Sequence, residues 1–334
     1  MGEYTEYGDI SPRTAVKAYA KLLKRTNPAL ITERTAQAKP MQKNTGQTMK
    51  FRRYLALAAS TSPLVEGVTP SASKPTYVDV SVTLQQYGDW VGITDVIEDT
   101  HEDPVLNEFN GILSRQIKDT REVLNLNVLK GGTNVFYSNG SSRAAVNTAV
   151  NRGMLKKINR TMLGNNAEYF MEVLDGSPKY GTTPVPSAFY GMAHPDVKAD
   201  LEAVSGYTPK HKYGDPKSAL PNEIGETEEI RWLISTHVTP WADAGGAGST
   251  MLATTDATAH VDVYPLIVVA PDAWGTVPLT GVHSGKVAVV NVKPSKSDPI
   301  GQRGSLGWKN WHAALILNDD LMARGEVAVT ANPS

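Results

Sequence analysis

Five carboxylates and one histidine occupy the nine positions from Asp95 to Asp103, "DVIEDTHED", directly ahead of an apolar helical pattern. If this stretch is helical, Asp95, Glu98, Asp99 and Glu102 share one face, and such a group could hold a hard cation, Mg²⁺ or Ca²⁺, for metal-dependent hydrolysis. The spacing permits that chemistry without specifying it. The same acids suit the approach to a helix N-terminus, where free N–H groups and the dipole favour each negative charge by about 0.3–1 kcal/mol. His101-Glu102 opens like H-E-x-x-H, but the second histidine position is Val105 and Pro104 lies inside the motif, so the zinc-protease pattern fails.

Other reactive patterns fail in similar ways. "GVHSGKV" (281–287) is one residue short of a phosphate loop and has Val287 where a hydroxyl is required. The strand-like "VAVVNV" that follows cannot supply the helix N-terminus that receives a phosphate. Ser284 is not centred in G-x-S-x-G, and "GGAGST" (245–250) lacks the third glycine of a dinucleotide loop. The remaining histidines are dispersed along the chain. These failures remove support from hydrolase, NTPase and Rossmann assignments, and no cofactor is expected.

The elements that would have to position any site come from a 334-residue chain, 40% hydrophobic and 20% charged. That composition predicts a folded protein with two lobes or one large interrupted domain. No cysteine is present, which excludes disulfides, thiolate metal sites and cysteine nucleophiles. No stretch approaches the roughly 20 apolar residues that cross a bilayer, and the first ten residues lack signal-peptide character, so a soluble protein made in a cytoplasm is expected, with no membrane partner.

The net charge of −1 conceals two opposed blocks. Residues 13–53 hold 11 Lys/Arg against Glu33 alone, and residues 75–114 hold 8 Asp/Glu with no Lys/Arg. Such blocks invite pairing between neighbouring chains, or contact of the basic block with phosphate, non-specifically and with salt dependence. Ser11 and Pro12 suit a helix start, with Val16, Tyr19, Ala20 and Leu23 at helical spacing before Asn27-Pro28.

Residues 48–57 and 76–93 read as strands around a small, polar, proline-punctuated tip with no core of its own. A hairpin with so long a tip is marginal alone, and its edges call for cover from another chain. Asp103-Pro104 and Gly131-Gly132 bracket a helix of about 40 Å. Its expected inner stripe is Val105, Phe109, Ile112, Gln116, Val123 and Asn127, flanked by Leu106, Leu113, Ile117, Leu124 and Val128. Helices are predicted at 149–163 and 195–204, and strands at 188–193, 230–236, 266–270, 286–292 and 312–317, an α+β reading.

The blocks "YGDISPRTA", "TLQQYGDWVGITDVIEDTHEDPVLNE", "VLKGGTNVFYSNG", "NEIGETEEIRWLISTHVTPWADAGG" and "ALILNDDLMARGEVA" resemble the major capsid proteins of N4-like tailed bacteriophages, in the same order from Tyr7 to Val327. The resemblance implies the HK97 capsid fold. Its parts would be an N-terminal arm (1–47), an extended loop (48–92), a peripheral domain (93–149) with a spine helix (104–130), an axial domain (150–300) and return strands of the peripheral domain (301–334). It also implies a structural, non-catalytic protein whose identical subunits form pentamers and hexamers of an icosahedral virion shell around double-stranded DNA. Partners would include separate scaffold, portal and decoration proteins. Under this resemblance Lys50, Arg52 and Arg53 are the expected inter-subunit partners of Asp95, Glu98, Asp99 and Glu102, and Lys74 is expected to be solvated rather than cross-linked. A nanocompartment shell and a metal-dependent hydrolase built on residues 95–103 remain the competing readings.

Overall fold

A computed structural model of the protein describes residues 29–64, 66–100, 105–170, 187–213, 220, 222–280, 286–290, 294 and 298–333. The expected helix at 11–26, the Asp103-Pro104 helix start and the 281–285 turn lie outside them. In chain order the strands are β1 (Gln37–Ala38), β2 (Thr48–Tyr54), β3 (Tyr77–Thr83), β4 (Gln85–Thr94), β5 (Val135–Tyr137), β6 (Phe189–Ala193), β7 (Thr208–Pro209), β8 (Glu223–Thr227), β9 (Ile230–Ile234), β10 (Tyr264–Val269), β11 (Trp274–Thr276), β12 (Lys286–Val290), β13 (Arg303–His312), β14 (Ala314–Ile316) and β15 (Met322–Val327). The α-helices are α1 (Asp95–Thr100), α2 (Val105–Leu129), α3 (Arg152–Gly164) and α4 (Lys198–Ala203).

A seven-stranded sheet runs in the order β5-β15-β10-β6-β9-β8-β7. Strands β6 and β10 are buried on both faces, which is why they read as continuous apolar runs rather than alternating ones. Met154, Leu155, Ile158 and Met162 of α3 cover one face, against Phe189, Leu266 and Val268. That helix starts at Asn151, whose side chain accepts the Met154 N–H at 2.9 Å. The opposite face carries Tyr190, Met192, Ile267 and Val269 and packs on Leu126 and Leu129 of α2 and on Trp274.

Gly191 in β6 has no room for a side chain, since a Cβ there would lie 2.5 Å from the Trp232 ring. Gly191→Ala is therefore expected to destabilise the subunit by about 1–3 kcal/mol, read as a lower urea midpoint at unchanged slope. A wild-type midpoint would show that the ring can move aside.

Helix α2 has 25 residues and spans about 38 Å. Its first half packs through Val105, Leu113 and Ile117 onto Ile93, Leu306 and Trp308 of a three-stranded sheet, β12-β13-β4. The inner stripe differs from the expected one. Ile112, Val123 and Asn127 are exposed, whereas Glu122 and Asn125 are buried with Leu126 and Leu129. Apolar periodicity misplaces the stripe because two polar residues face inward, where the arm at residues 31–35 supplies their partners.

Strands β2 and β3 form a separate hairpin from Thr48↔Thr83 to Tyr54↔Tyr77. The expected single strand over 76–93 is broken at Leu84, which is buried and bonded through its N–H to Gln47 O. Beyond it, β4 leaves the hairpin and pairs with β13 over ten residues. The apolar alternation shifts phase there, from Val78, Val80, Val82 and Leu84 to Tyr87, Val91 and Ile93, with Gln85-Gln86 between them, and the two sets pack in different clusters.

The pairing also cuts across the expected boundary at residue 300. Strand β12 joins β13, and β11 joins β14 and β1, while β15 lies inside the seven-stranded sheet between β10 and β5. Strands β8, β13 and β15 were not anticipated from the sequence. Both glycine-bearing β13 ("RGSLGWKNWH") and β15 ("MARGEV") lack a clean apolar run.

Candidate inter-subunit surfaces

The base of the β2/β3 hairpin is anchored, because Met49, Phe51, Val80 and Val82 pack on Met41, Leu84, Val277, Ala313 and Leu315. Its distal end is not. Every described residue from Tyr54 to Val78 is exposed, including Tyr54, Leu57, Leu64, Val68 and Tyr77, with Leu64 at 78%. On an otherwise polar stretch these are isolated apolar side chains with no cover from the rest of the described residues. Local contacts at its base are Tyr54 and Tyr77, edge to face at 6.1 Å, and the Arg52 guanidinium 4.1 Å from the Tyr77 ring centre.

The basic residues of β2 find a carboxylate within the hairpin. Arg52 donates from Nε to Asp79 Oδ1 at 2.8 Å and from Nη2 to Oδ2 at 3.0 Å. Lys50 Nζ lies 3.5 Å from Asp79 Oδ2. The fork geometry holds the Asp79 carboxyl below its usual range and raises Arg52, chiefly through their hydrogen bond. Arg53 points to the other face, toward Met49 and Phe51, and its buried Nε has no hydrogen-bond partner among the described residues.

Residues 95–100 are helical. Asp95 is the first residue of this helix, and its Oδ1 accepts the adjacent Val96 N–H at 2.8 Å. The side chains of Glu98 and Asp99, and Glu102 entirely, lie outside the described residues. The chain thus brings Lys50 and Arg52 to Asp79, not to Asp95. Among the described residues no group of three or more histidines and acids could hold a metal.

A second site escaped the sequence reading. The buried Glu122 carboxylate on α2 receives the arm: Oε1 accepts the N–H groups of Ile31 (2.6 Å) and Thr32 (3.0 Å), and Oε2 accepts the Thr32 hydroxyl (2.5 Å). Asn125 Nδ2 donates to Thr32 Oγ1 at 3.0 Å, and Asn125 Oδ1 accepts from His312 Nε2 at 2.8 Å. The chain of donors therefore fixes the imidazole as the Nε2–H tautomer. Polar residues three apart, Glu122 and Asn125, in line with Ile117 and Leu129 were the available signal.

Burial pushes the His312 pKa down to about 4, with the Arg121 charge acting in the same direction. The folded state refuses a proton that the unfolded chain accepts below its ordinary value of 6.5. Stability is accordingly full above pH 6.5 and falls as pH drops, by about 3 kcal/mol on approaching pH 4. Urea midpoints of unassembled subunits at pH 7.5 and 4.5 should differ more for wild type than for His312→Gln. Equal drops would remove His312 as the cause.

The family model described as phage capsid protein matches residues 77–325. No curated protein matches the sequence at a significant level. Among solved structures, the chain is similar to the capsid of Ralstonia phage GP4 with a TM-score of 0.68, 12% identity and 100% coverage of both chains. It is similar to the capsid of cyanophage P-SCSP1u with a TM-score of 0.63 and 15% identity over 94% of this chain and 93% of that one. An encapsulin complex from Synechococcus elongatus gives a TM-score of 0.57 at 10% identity, covering 96% of each chain.

Proposed function

The chain belongs to the phage capsid protein family and is a major capsid shell protein of HK97-like fold, and from that premise we propose that its shell encloses the double-stranded DNA of a tailed bacteriophage, with no catalytic role. The seven-stranded sheet with α3 and α4 is the axial unit. The β12-β13-β4 sheet with α1 and α2 is the peripheral unit, and the β2/β3 hairpin is the limb that crosses to an adjacent subunit. Heterologous contacts of this kind close into pentamers and hexamers.

The observation that carries this reading is the hairpin: its base is packed, while its outer half, Tyr54 to Val78, is exposed in every described residue. The shell is assembled in the host cytoplasm, and basic residues of the N-terminal arm, ahead of β2, meet packaged DNA non-specifically through phosphates.

Of the expected set Lys50, Arg52 and Arg53, the two on the exposed face of β2, Lys50 and Arg52, meet Asp95, Glu98, Asp99 and Glu102 of neighbours, with Asp79 holding Arg52 in position, whereas Arg53 is on the packed face. Joint reversal, Lys50→Glu with Arg52→Glu, is expected to lower particle yield and to change its dependence on salt, read by sedimentation at low and high ionic strength. Unchanged assembly and salt response would remove these residues from the interface.

The likeness to an encapsulin supports a second reading, a nanocompartment shell. Microscopy with nucleic-acid quantitation separates the two. Particles holding a protein cargo and no genome would favour the compartment.

A further inference from the structure

We propose that the hairpin is seated on the neighbouring subunit by strand addition, the open edge of β2 in one copy pairing along the open edge of β4 in the next. This rests on the shell reading and adds to it the place where the limb lands. Hydrogen-bond parity identifies both edges. In the hairpin, the bonds from Leu55 N–H to Thr76 O and from Leu84 N–H to Gln47 O continue the ladder register, so the hydrogen-bonded pairs are the odd-numbered residues of β2. Thr48, Lys50, Arg52 and Tyr54 therefore turn their N–H and C=O groups away from β3. On β4 the bond from Asp95 N–H to Gln302 O sets the phase, and Gln86, Gly88 and Trp90 turn theirs away from β13. These three residues and Asp89 are exposed, and neither edge has a further strand beside it among the described residues.

Charge selects this pairing. Arg52 and Lys50 share the single carboxylate of Asp79, which leaves the open face of the hairpin with an excess of positive charge. Asp89 Oδ1 accepts the outward Trp90 N–H at 2.8 Å, and that bond places its carboxylate at the rim of β4, with Oδ2 accepting from Gln116 Nε2 at 2.6 Å and no cation beside it among the described residues. The other edges of these two sheets fit less well. β3 would bring Asp79 beside Asp89, and β12 would set Lys286 against Lys50 and Arg52, like charges in both cases.

The occupant must be a second copy. Within one chain a single residue, Leu84, links β3 to β4, and β3 stands between β2 and that link, so β2 cannot fold back on its own β4. Addition from a neighbour puts Arg52 and Tyr54 within reach of the Trp90 indole, which is 50% exposed. Because β4 runs directly into α1, the seat also adds Asp89 to the acids that Lys50 and Arg52 meet.

A proline at position 86 tests the main-chain contact, since the Gln86 N–H points away from β13 and its loss leaves the subunit's own ladder intact. Full-length Gln86→Pro is expected to give about tenfold fewer particles by sedimentation than Gln86→Ala, which keeps the N–H, at equal urea midpoints of the unassembled subunits. In a second arm, Lys50→Cys with Gln86→Cys is treated with a bismaleimide, the chain having no other cysteine. The expected products are covalent dimers and higher multiples. If the proline lowers the midpoint, the cross-link decides alone. Normal particle yield from a stable Gln86→Pro, or shells of the double variant that show bridges within a chain or none, would overturn strand addition and leave the shell reading standing. Wild-type protein that forms no particles would overturn both.

Discussion

A subunit in which residues 56–75 are replaced by a two-residue Asn-Gly turn is expected to fold with wild-type stability and to form no closed shells. The replacement fits the backbone, because Leu55 and Thr76, next to the opposed pair Tyr54 and Tyr77, are joined by the Leu55 N–H to Thr76 O bond at 2.9 Å, and a two-residue primed turn closes such a hydrogen-bonded pair. Stability should not change: the described residues removed are all exposed, and the hairpin keeps its anchors Met49, Phe51, Val80 and Val82. On the proposed reading assembly should be lost, because the apolar side chains removed, Leu57, Leu64 and Val68 among them, are exposed in the subunit and would gain burial on a neighbour. Each such side chain is worth about 1.5–3 kcal/mol when fully buried. Sedimentation decides the matter. Shells from the shortened chain would show that the tip contributes nothing to association, and a lowered urea midpoint would show that it supports the subunit itself.

The second large effect is expected at Glu122. Glu122→Ala strands two backbone N–H groups and one hydroxyl in a site that is 1% exposed at the helix residue. Leaving buried donors unmet costs about 1–3 kcal/mol each, so a total loss of about 3–5 kcal/mol is expected after partial hydration of the released segment. Limited proteolysis should then open at residues 29–36 before the rest of the chain. Glu122→Gln retains one acceptor oxygen and the shape, and should lose about 1–2 kcal/mol. If Glu122→Ala is as stable as wild type and equally resistant to protease, the carboxylate does not hold the arm. The consequence for the shell is positional, since the arm enters each subunit at this point.

Much of this protein was written locally. The C-terminal end of α2 was set to within a residue or two by its glycine stop, and α3, expected at 149–163 and found at Arg152–Gly164, was located by its period of hydrophobic residues, because stops and periodicity are short-range effects. The empty tip of the hairpin was equally legible, since a long polar stretch without a core needs no tertiary knowledge to be recognised. The opposed charge blocks were visible too, but not who pairs with whom: Asp79 faces Arg52 only because the β2/β3 register sets them opposite each other.

The tertiary structure decided what depends on residues far apart in the chain. It broke the 76–93 run at Leu84 and gave its halves to different sheets, placed β15 between β5 and β10, and turned α2 so that Glu122 and Asn125 face inward. A carboxylate in the core is acceptable only when donors from elsewhere meet it, and those on Ile31 and Thr32 lie some ninety residues away. Periodicity measures how apolar a position is. It cannot count hydrogen bonds that the fold has yet to bring together.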